Sequence, residues 1–161
     1  MERIALTPEG KQLLEKELAW RETEVREKII KDIAEARAHG DISENSEFED
    51  AKERQALNEG IIQNLKGQLS AGIVIDVKEK EPPEGEDRAI IFGCTVLLED
   101  EEGTELKYKL VGLHEASPKN GKLYYKSPIG QGLIGKLEGE GVEVNTPGGI
   151  RAFDIIEVHY K

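Results

Sequence analysis

The sequence predicts an α+β chain: an N-terminal antiparallel α-helical hairpin of the coiled-coil kind, then a small, mostly antiparallel β-sheet domain with one short helix. Three observations carry that prediction. Apolar residues recur at spacings of three, four and seven along two long, otherwise charged segments before residue 70. A short polar bend around Gly40 separates those segments, so two helices of such length must fold back on one another. After Gly72 the apolar period changes from that of a helix to that of a strand.

The first helix starts at Thr7-Pro8, where Thr can cap and Pro suits the opening position. Leu14, Leu18, Val25, Ile29, Ile33 and Ala36 form its apolar stripe, and Gly40 ends it near His39. Asp41 or Ser43 can cap the second helix, whose stripe is Phe48, Ala51, Gln55, Leu57, Ile61, Ile62, Leu65 and Leu69, fading at Ser70-Ala71-Gly72. At roughly 1.5 Å per residue such helices extend on the order of 45 Å, so the hairpin reads as a rod with a charged tip. Its length suits reach.

Residues 73–77 read as a strand, 79–88 as an acidic loop with Pro82-Pro83, and 89–98 as a second strand. Asp100-Glu101-Glu102-Gly103 turns into a third strand, in which Leu106, Tyr108 and Leu110 alternate with Glu105, Lys107 and Lys109. Leu123-Tyr124-Tyr125 reads as a short strand and Ser127-Pro128 opens a brief helix through Ile134. Val142 to Val144 then turns through Thr146-Pro147-Gly148-Gly149 into a last strand ending near Val158. The expected domains are residues 1–75 and 76–161.

Charge and composition exclude several functions. A formal net charge of −11 opposes wrapping of duplex nucleic acid, whose affinity comes mainly from neutralised phosphates. No apolar run approaches the roughly 20 residues that span a bilayer, and the first residues lack a signal-peptide layout. A cytoplasmic monomer with no membrane contact is expected. The one cysteine, Cys94, lies in an apolar stretch and reads as a small buried hydrophobe. His39, His114 and His159 are too scattered for a local metal site, and neither Ser43 nor Ser127 has a histidine neighbour for nucleophilic catalysis. Residues 107–136 hold six lysines against Glu115 alone, a patch that could meet an acidic protein surface or be a solvated face.

The bend is the chemical feature. Residues 41–50 contain Asp41, Glu44, Glu47, Glu49 and Asp50 and no base. Like charges three or four apart on a helix each cost roughly 0.2–0.5 kcal/mol. Capping and the helix dipole account for one or two of these acids, not for five. Oxygen ligands of a divalent cation are the chemical alternative, since Mg²⁺ takes one or two carboxylates and fills its other positions with water and substrate oxygens.

The run Gly40-Asp41-Ile42-Ser43-Glu44-Asn45-Ser46-Glu47-Phe48, continued by Ala51-Lys52-Glu53-Arg54-Gln55, resembles the tip signature of the bacterial Gre transcript cleavage factors. Leu6-Thr7-Pro8-Glu9-Gly10, Ser127-Pro128-Ile129-Gly130, Leu133-Ile134-Gly135-Lys136 and Thr146-Pro147-Gly148-Gly149 extend the likeness over nearly the whole chain. The resemblance implies an FKBP-like C-terminal fold that docks at the rim of the RNA polymerase secondary channel, and a coiled coil that enters it. It implies that the chain is not itself an enzyme but stimulates the polymerase's own cleavage of backtracked RNA, acting at the nascent RNA 3′ end. Asp41 and Glu44 would face a Mg²⁺ held jointly with the polymerase active site, with Ser43 and Glu47 in support. Arg37, Lys52 and Arg54 match RNA-contacting positions, although Arg37 could instead pair with Asp41 and Arg54 with Asp50. Ser127, Pro128 and Ile129 match polymerase-docking positions. With the rest of the coil net acidic, the chain is similar to the less basic branch of the family, which favours short backtracks.

Glu49 and Asp50 add charge that the family pattern usually lacks, while the Asp41 and Glu44 pair is intact. Two alternatives stay open: a channel-binding inhibitor of the same family, and a prolyl isomerase or peptide-binding module. The last would need an aromatic pocket built from Phe92, Tyr108, Tyr124, Tyr125, Phe153 and Tyr160.

Overall fold

The computed structural model describes residues 3–40 and 45–161. The chain divides into two compact units, one of residues 12–72 and one of residues 3–11 with 73–161. The division passes through the first helix, so the extreme N-terminal segment groups with the sheet unit, away from the helical hairpin with which its sequence is continuous.

Strand β1 (Ile4–Leu6) causes that grouping by pairing with β2 (Gly72–Val74), and the Ile75 N–H donates to the Leu6 carbonyl at 2.8 Å. A buried side-chain pair reinforces it. The Thr7 hydroxyl donates to Glu115 at 2.5 Å and accepts the Gly10 N–H at 2.9 Å, so Thr7 caps helix α1 (Pro8–Trp20) while holding a carboxylate from the sheet unit. Gly10 is needed there: a Cβ would stand 2.5 Å from Glu115 Oε2.

The single first helix expected from Thr7 to His39 is interrupted. A π-turn at Arg21–Val25 separates α1 from α2 (Arg26–Arg37), although Trp20 and Arg26 at its two ends keep right-handed helical angles. Helix α3 (Ser46–Ala71) returns alongside. Cross-helix ion pairs prove the direction: Lys66 meets Glu22 at 3.7 Å, Glu59 meets Arg26 at 2.9 Å and Arg54 meets Asp32 at 3.0 Å, so positions fall on α3 as they rise on the other strand of the hairpin. The seam buries Leu14, Ile29 and Ala36 with Ala51, Ile62 and Leu65. Small Ala36 and Ala51 leave room for close approach beside the bend.

One stripe position differs from expectation. Leu57 is 67% exposed, whereas Asn58 is 3% exposed and occupies the seam. Its amide N–H donates to the Arg21 carbonyl and its carbonyl accepts from the Arg21 guanidinium, each at 3.2 Å, which satisfies a buried polar side chain and a main-chain acceptor at the π-turn together.

The sheet unit is a five-stranded sheet in the order β5-β4-β3-β7-β6. Strands β3 (Thr95–Asp100), β4 (Glu105–Val111), β6 (Gly141–Thr146) and β7 (Gly149–His159) pair antiparallel, and β5 (Lys122–Tyr124) adds in parallel beside β4. Its core gathers Ile90, Cys94, Val96, Leu98, Leu110, Leu133, Phe153, Ile155 and Val158, and burial pushes the Cys94 thiol up. Two expected strands are shorter than their apolar runs. Residues after Val74 enter a 3-10 turn at Val77–Lys80, and Ile90 and Phe92 are buried outside any strand because Gly93, at φ +92°, turns the chain tightly against Val77. Helix α4 (Pro128–Leu133) is capped by Ser127, whose hydroxyl accepts the Gly130 N–H at 3.1 Å, and it buries Leu133. Phe92, Phe153 and Tyr160 are buried in this unit and are unavailable to line an open aromatic pocket.

Two glycine substitutions separate these constraints. A Cβ on Gly67 meets nothing within 4 Å on α3, so Gly67→Ala should raise stability by roughly 0.5–1 kcal/mol. At Gly130 a Cβ lies 2.6 Å from the Tyr125 carbonyl oxygen and 2.7 Å from that of Tyr124, so Gly130→Ala should lower stability by about 1–3 kcal/mol. Urea unfolding of the full chain distinguishes the signs.

Candidate functional site

Asp41, Ser43 and Glu44 lie outside the described residues, as does any pairing of Arg37 with Asp41. The site is therefore built from what flanks them. Gly40, at φ +93°, closes the C-terminal end of the first helical arm, and the Gly40 N–H donates to the Arg37 carbonyl at 3.3 Å. On the other side Asn45, which the sequence left unassigned, caps α3: its side-chain oxygen accepts the Phe48 N–H at 3.1 Å. Its side-chain nitrogen donates to the Ala36 carbonyl at 2.5 Å. One amide thus satisfies an orphan donor of α3 and adds a second bond to a carbonyl at the end of α2 that already accepts the His39 N–H at 3.2 Å, which ties the two helix ends together. Asn is as good a cap as Ser or Asp; only the second bond, nine positions back, was beyond sequence reasoning.

The acids on the described side of the bend are solvent-facing. Glu47 and Glu49 occupy the first turn of α3, where negative charge suits the dipole. The Glu47 and Asp50 side chains are both 69% exposed. His39 approaches Glu47 at 3.3 Å across the bend. A cleft of about 240 Å³ beside it has Asp32, Glu35, Glu47 and Asp50 on its walls together with Arg54 and His39. Among the described residues no group of three or more acids, histidines or cysteines is arranged to hold a metal ion.

The three candidate RNA-contacting bases differ in their surroundings. Arg54 donates to Asp32 at 3.0 Å and to Asp50 at 3.3 Å. The Arg54 guanidinium holds the Asp32 carboxyl below its ordinary value, and Arg54 is itself raised, chiefly by its hydrogen bond to Asp32. Lys52 reaches Gln55 at 3.1 Å, and the Arg37 guanidinium lies 5.7 Å from the centre of the Phe48 ring. In the sheet unit, Ser127 is engaged as a cap, Pro128 is exposed and Ile129 packs on the core. Of the three docking candidates, Pro128 is the one presented outward.

Residues 4–74 match the family described as transcription elongation factor, N-terminal, and residues 85–160 match transcription elongation factor, GreA/GreB, C-term. The chain belongs to the GreA/GreB family of transcription elongation factors. It is 49% identical over 161 residues to transcription elongation factor GreA of Neisseria meningitidis serogroup A, covering 99% of each chain. It is 47% identical over 161 residues to GreA of Brucella canis, again covering 99% of each. The crystal structure of GreA factor homolog 1 (Gfh1) of Thermus thermophilus is 28% identical, with 98% of this chain and 99% of that one covered and a TM-score of 0.42. No described helix is long and apolar enough to cross a membrane. The helical hairpin falls within the first matched segment, and the mixed sheet with its short helix within the second.

The carboxylates that pair along this hairpin make its stability acid-sensitive. Asp32 beside Arg54 and Glu59 beside Arg26 are both held below their ordinary values. Their contribution is therefore complete above the unfolded carboxylate pKa, about 4, and is lost as pH falls through the lower folded values. Helical circular dichroism of the full chain should stay level from pH 7 to 5 and its thermal midpoint should drop below pH 4. Asp32→Asn should flatten part of that drop; an unchanged acid limb would refute the role of this pair.

Proposed function

We propose that this chain binds RNA polymerase, passes its hairpin bend through the secondary channel, and stimulates the polymerase's own endonucleolytic cleavage of backtracked RNA. The observation that carries the reading is the Gly40–Phe48 motif at the bend of a paired helical hairpin, in a chain 49% identical to a GreA elongation factor. The inhibitor and isomerase alternatives have no observation of this kind.

On this reading the chain lends acids and the polymerase supplies the catalytic centre. The donor set fits Mg²⁺: Asp41 and Glu44 offer hard carboxylate oxygens, and two carboxylates are what that ion ordinarily takes from protein. A two-metal centre stabilises both the attacking and the leaving oxygen of an in-line displacement. Asp41 and Glu44 hold their charge where such a centre is incomplete, and Ser43 and Glu47 support them. Asn45 ties the end of α2 to the start of α3 on either side of this segment. Arg37 and Lys52 would meet RNA phosphates, whereas Arg54 would first have to exchange Asp32 and Asp50 for a phosphate. Ser127, Pro128 and Ile129 serve docking, with Pro128 as the contact and Ser127 as the cap that shapes its helix.

The decisive measurement is release of 3′ RNA fragments from a backtracked elongation complex with and without the chain. Asp41→Ala with Glu44→Ala should reduce stimulated cleavage at least tenfold at saturating factor while leaving polymerase binding intact; full cleavage by that variant would end the metal role. In calorimetry the isolated chain should show no stoichiometric Mg²⁺ binding, since two carboxylates leave most of the coordination sphere to other ligands.

A further inference from the structure

Strand register sets out the outer face of the five-stranded sheet. On β3, Thr95, Leu97 and Glu99 alternate with buried Val96 and Leu98. On β4, Glu105, Lys107 and Lys109 alternate with Leu106, Tyr108 and Leu110, which pack on the core. Three cross-strand rows follow. At one end Glu99 stands opposite Glu105. In the middle Leu97 lies between Lys107 and Glu157. At the other end Lys122, Lys109, Thr95 and His159 make one row across four strands.

Two of these juxtapositions set like charges directly opposite, which disfavours a sheet. Glu99 faces Glu105 and Lys109 faces Lys122; exchanging one residue of each pair would have given attraction at both places. Glu157 is separated from Lys107 by Leu97 and lies 2.8 Å from His159. Lys107, Lys109 and Lys122 form no ion pair among the described residues. Exposed Lys119 is brought to the same end, since the Lys109 N–H donates to the Gly121 carbonyl at 2.8 Å. The opposite end continues into the acidic hairpin turn with Glu101 and Glu102. The face is thus polarised: acids at one edge, lysines at the other, and half-buried Leu97 between them.

We propose that this face is a docking surface for a protein partner whose own carboxylates meet Lys107, Lys109 and Lys122, and that the partner is RNA polymerase, contacted here in addition to the Ser127–Ile129 segment. The inference rests on the reading that polymerase is the partner. Polarity selects protein over nucleic acid, because a phosphate backbone is negative along its whole length and would run from the lysines onto Glu99 and Glu105. An aliphatic centre with a charged rim is the anatomy of a protein interface. The bases are all lysines, without the guanidinium forks that grip phosphates in pairs. Opposed charges of this kind act mainly on the rate of encounter and its orientation.

The test uses the full chain and its Lys107→Glu/Lys122→Glu variant, with association to core RNA polymerase followed at low and high salt, on the bare enzyme and on an assembled elongation complex. The variant turns the Lys109–Lys122 repulsion into attraction, so its thermal midpoint should hold or rise. Its association should slow by about tenfold at low salt, with the difference shrinking as screening shortens the field. The loss should be the same with and without nucleic acid, and cleavage at saturating factor should be unchanged. Lys107→Gln/Lys122→Gln should fall in between. An undiminished association rate in the charge-reversed variant overturns this inference alone. A loss seen only when nucleic acid is present overturns it in favour of a phosphate contact. Failure of the unsubstituted chain to bind polymerase overturns the docking reading and this inference together.

Discussion

A hairpin of two helices has a single buried seam and no second layer behind it, so its register hangs on very few positions. Apolar seam residues at three-and-four spacing fit almost as well after a slip of one heptad. Asn58 does not. Its side chain is buried, and its two bonds are to the main-chain carbonyl and the guanidinium of one residue, Arg21. A slip would leave that amide unsatisfied inside the seam, at the cost of an orphaned polar group. The π-turn begins at Arg21, so the helix irregularity and the polar seam residue meet at one place. The same register brings Asn45 to the Ala36 carbonyl, a second side-chain bond between the two arms.

Charge is distributed along the hairpin according to the same frame. On the shaft, acids face bases across the seam, as Glu22 with Lys66, Arg26 with Glu59 and Asp32 with Arg54. Toward the bend the matching thins: Asp50 shares Arg54 with Asp32, and Glu47 meets His39. Glu47 and Asp50 stay mostly exposed, and the sequence adds Asp41, Glu44 and Glu49 without a further acid-matching base between residues 41 and 50. Paired carboxylates stabilise the shaft, while on the proposed reading the surplus at the bend serves a metal centre outside the chain.

What was legible in the sequence was local. The helical stripes, the change of period at Gly72 and the Ser127–Pro128 helix start all depend on residues within a few positions of one another, and each appears in the structure. What was not legible depends on partners far along the chain. Nothing near Leu57 and Asn58 reveals that the polar residue faces the seam and the apolar one faces out; that is decided by Arg21, 37 positions away. Thr7 reads as a helix cap, but not as the holder of Glu115. Arg54 has an obvious partner four residues back in Asp50, yet its shorter bond is to Asp32, 22 positions away. Strand β5 adds parallel to β4, a choice made by the Pro118–Asn120 turn and not by its own three residues. The motif at the bend was readable as a whole, and Asn45 is as ordinary a cap as Ser or Asp; its tie to the Ala36 carbonyl was not readable, because it exists only once the helices are paired.

On the proposed reading these features divide labour between the two units. Interactions made equally well before and during cleavage raise occupancy of the complex without speeding the chemical step. Contacts of the sheet unit are of this kind, since nothing about them changes as a phosphodiester bond breaks. Carboxylates at the bend are different, because the charge they complement develops during the reaction. A chain with a net charge of −11 gains nothing at long range from nucleic acid, and beyond about 8 Å its surface charges are screened at physiological salt. Recognition must therefore come from short-range protein contacts, and the unit that supplies them need not carry the acids. That separation lets the bend keep an unneutralised charge excess that a docking surface could not tolerate, and it explains why bases crowd one edge of the sheet while acids crowd the turn of the hairpin.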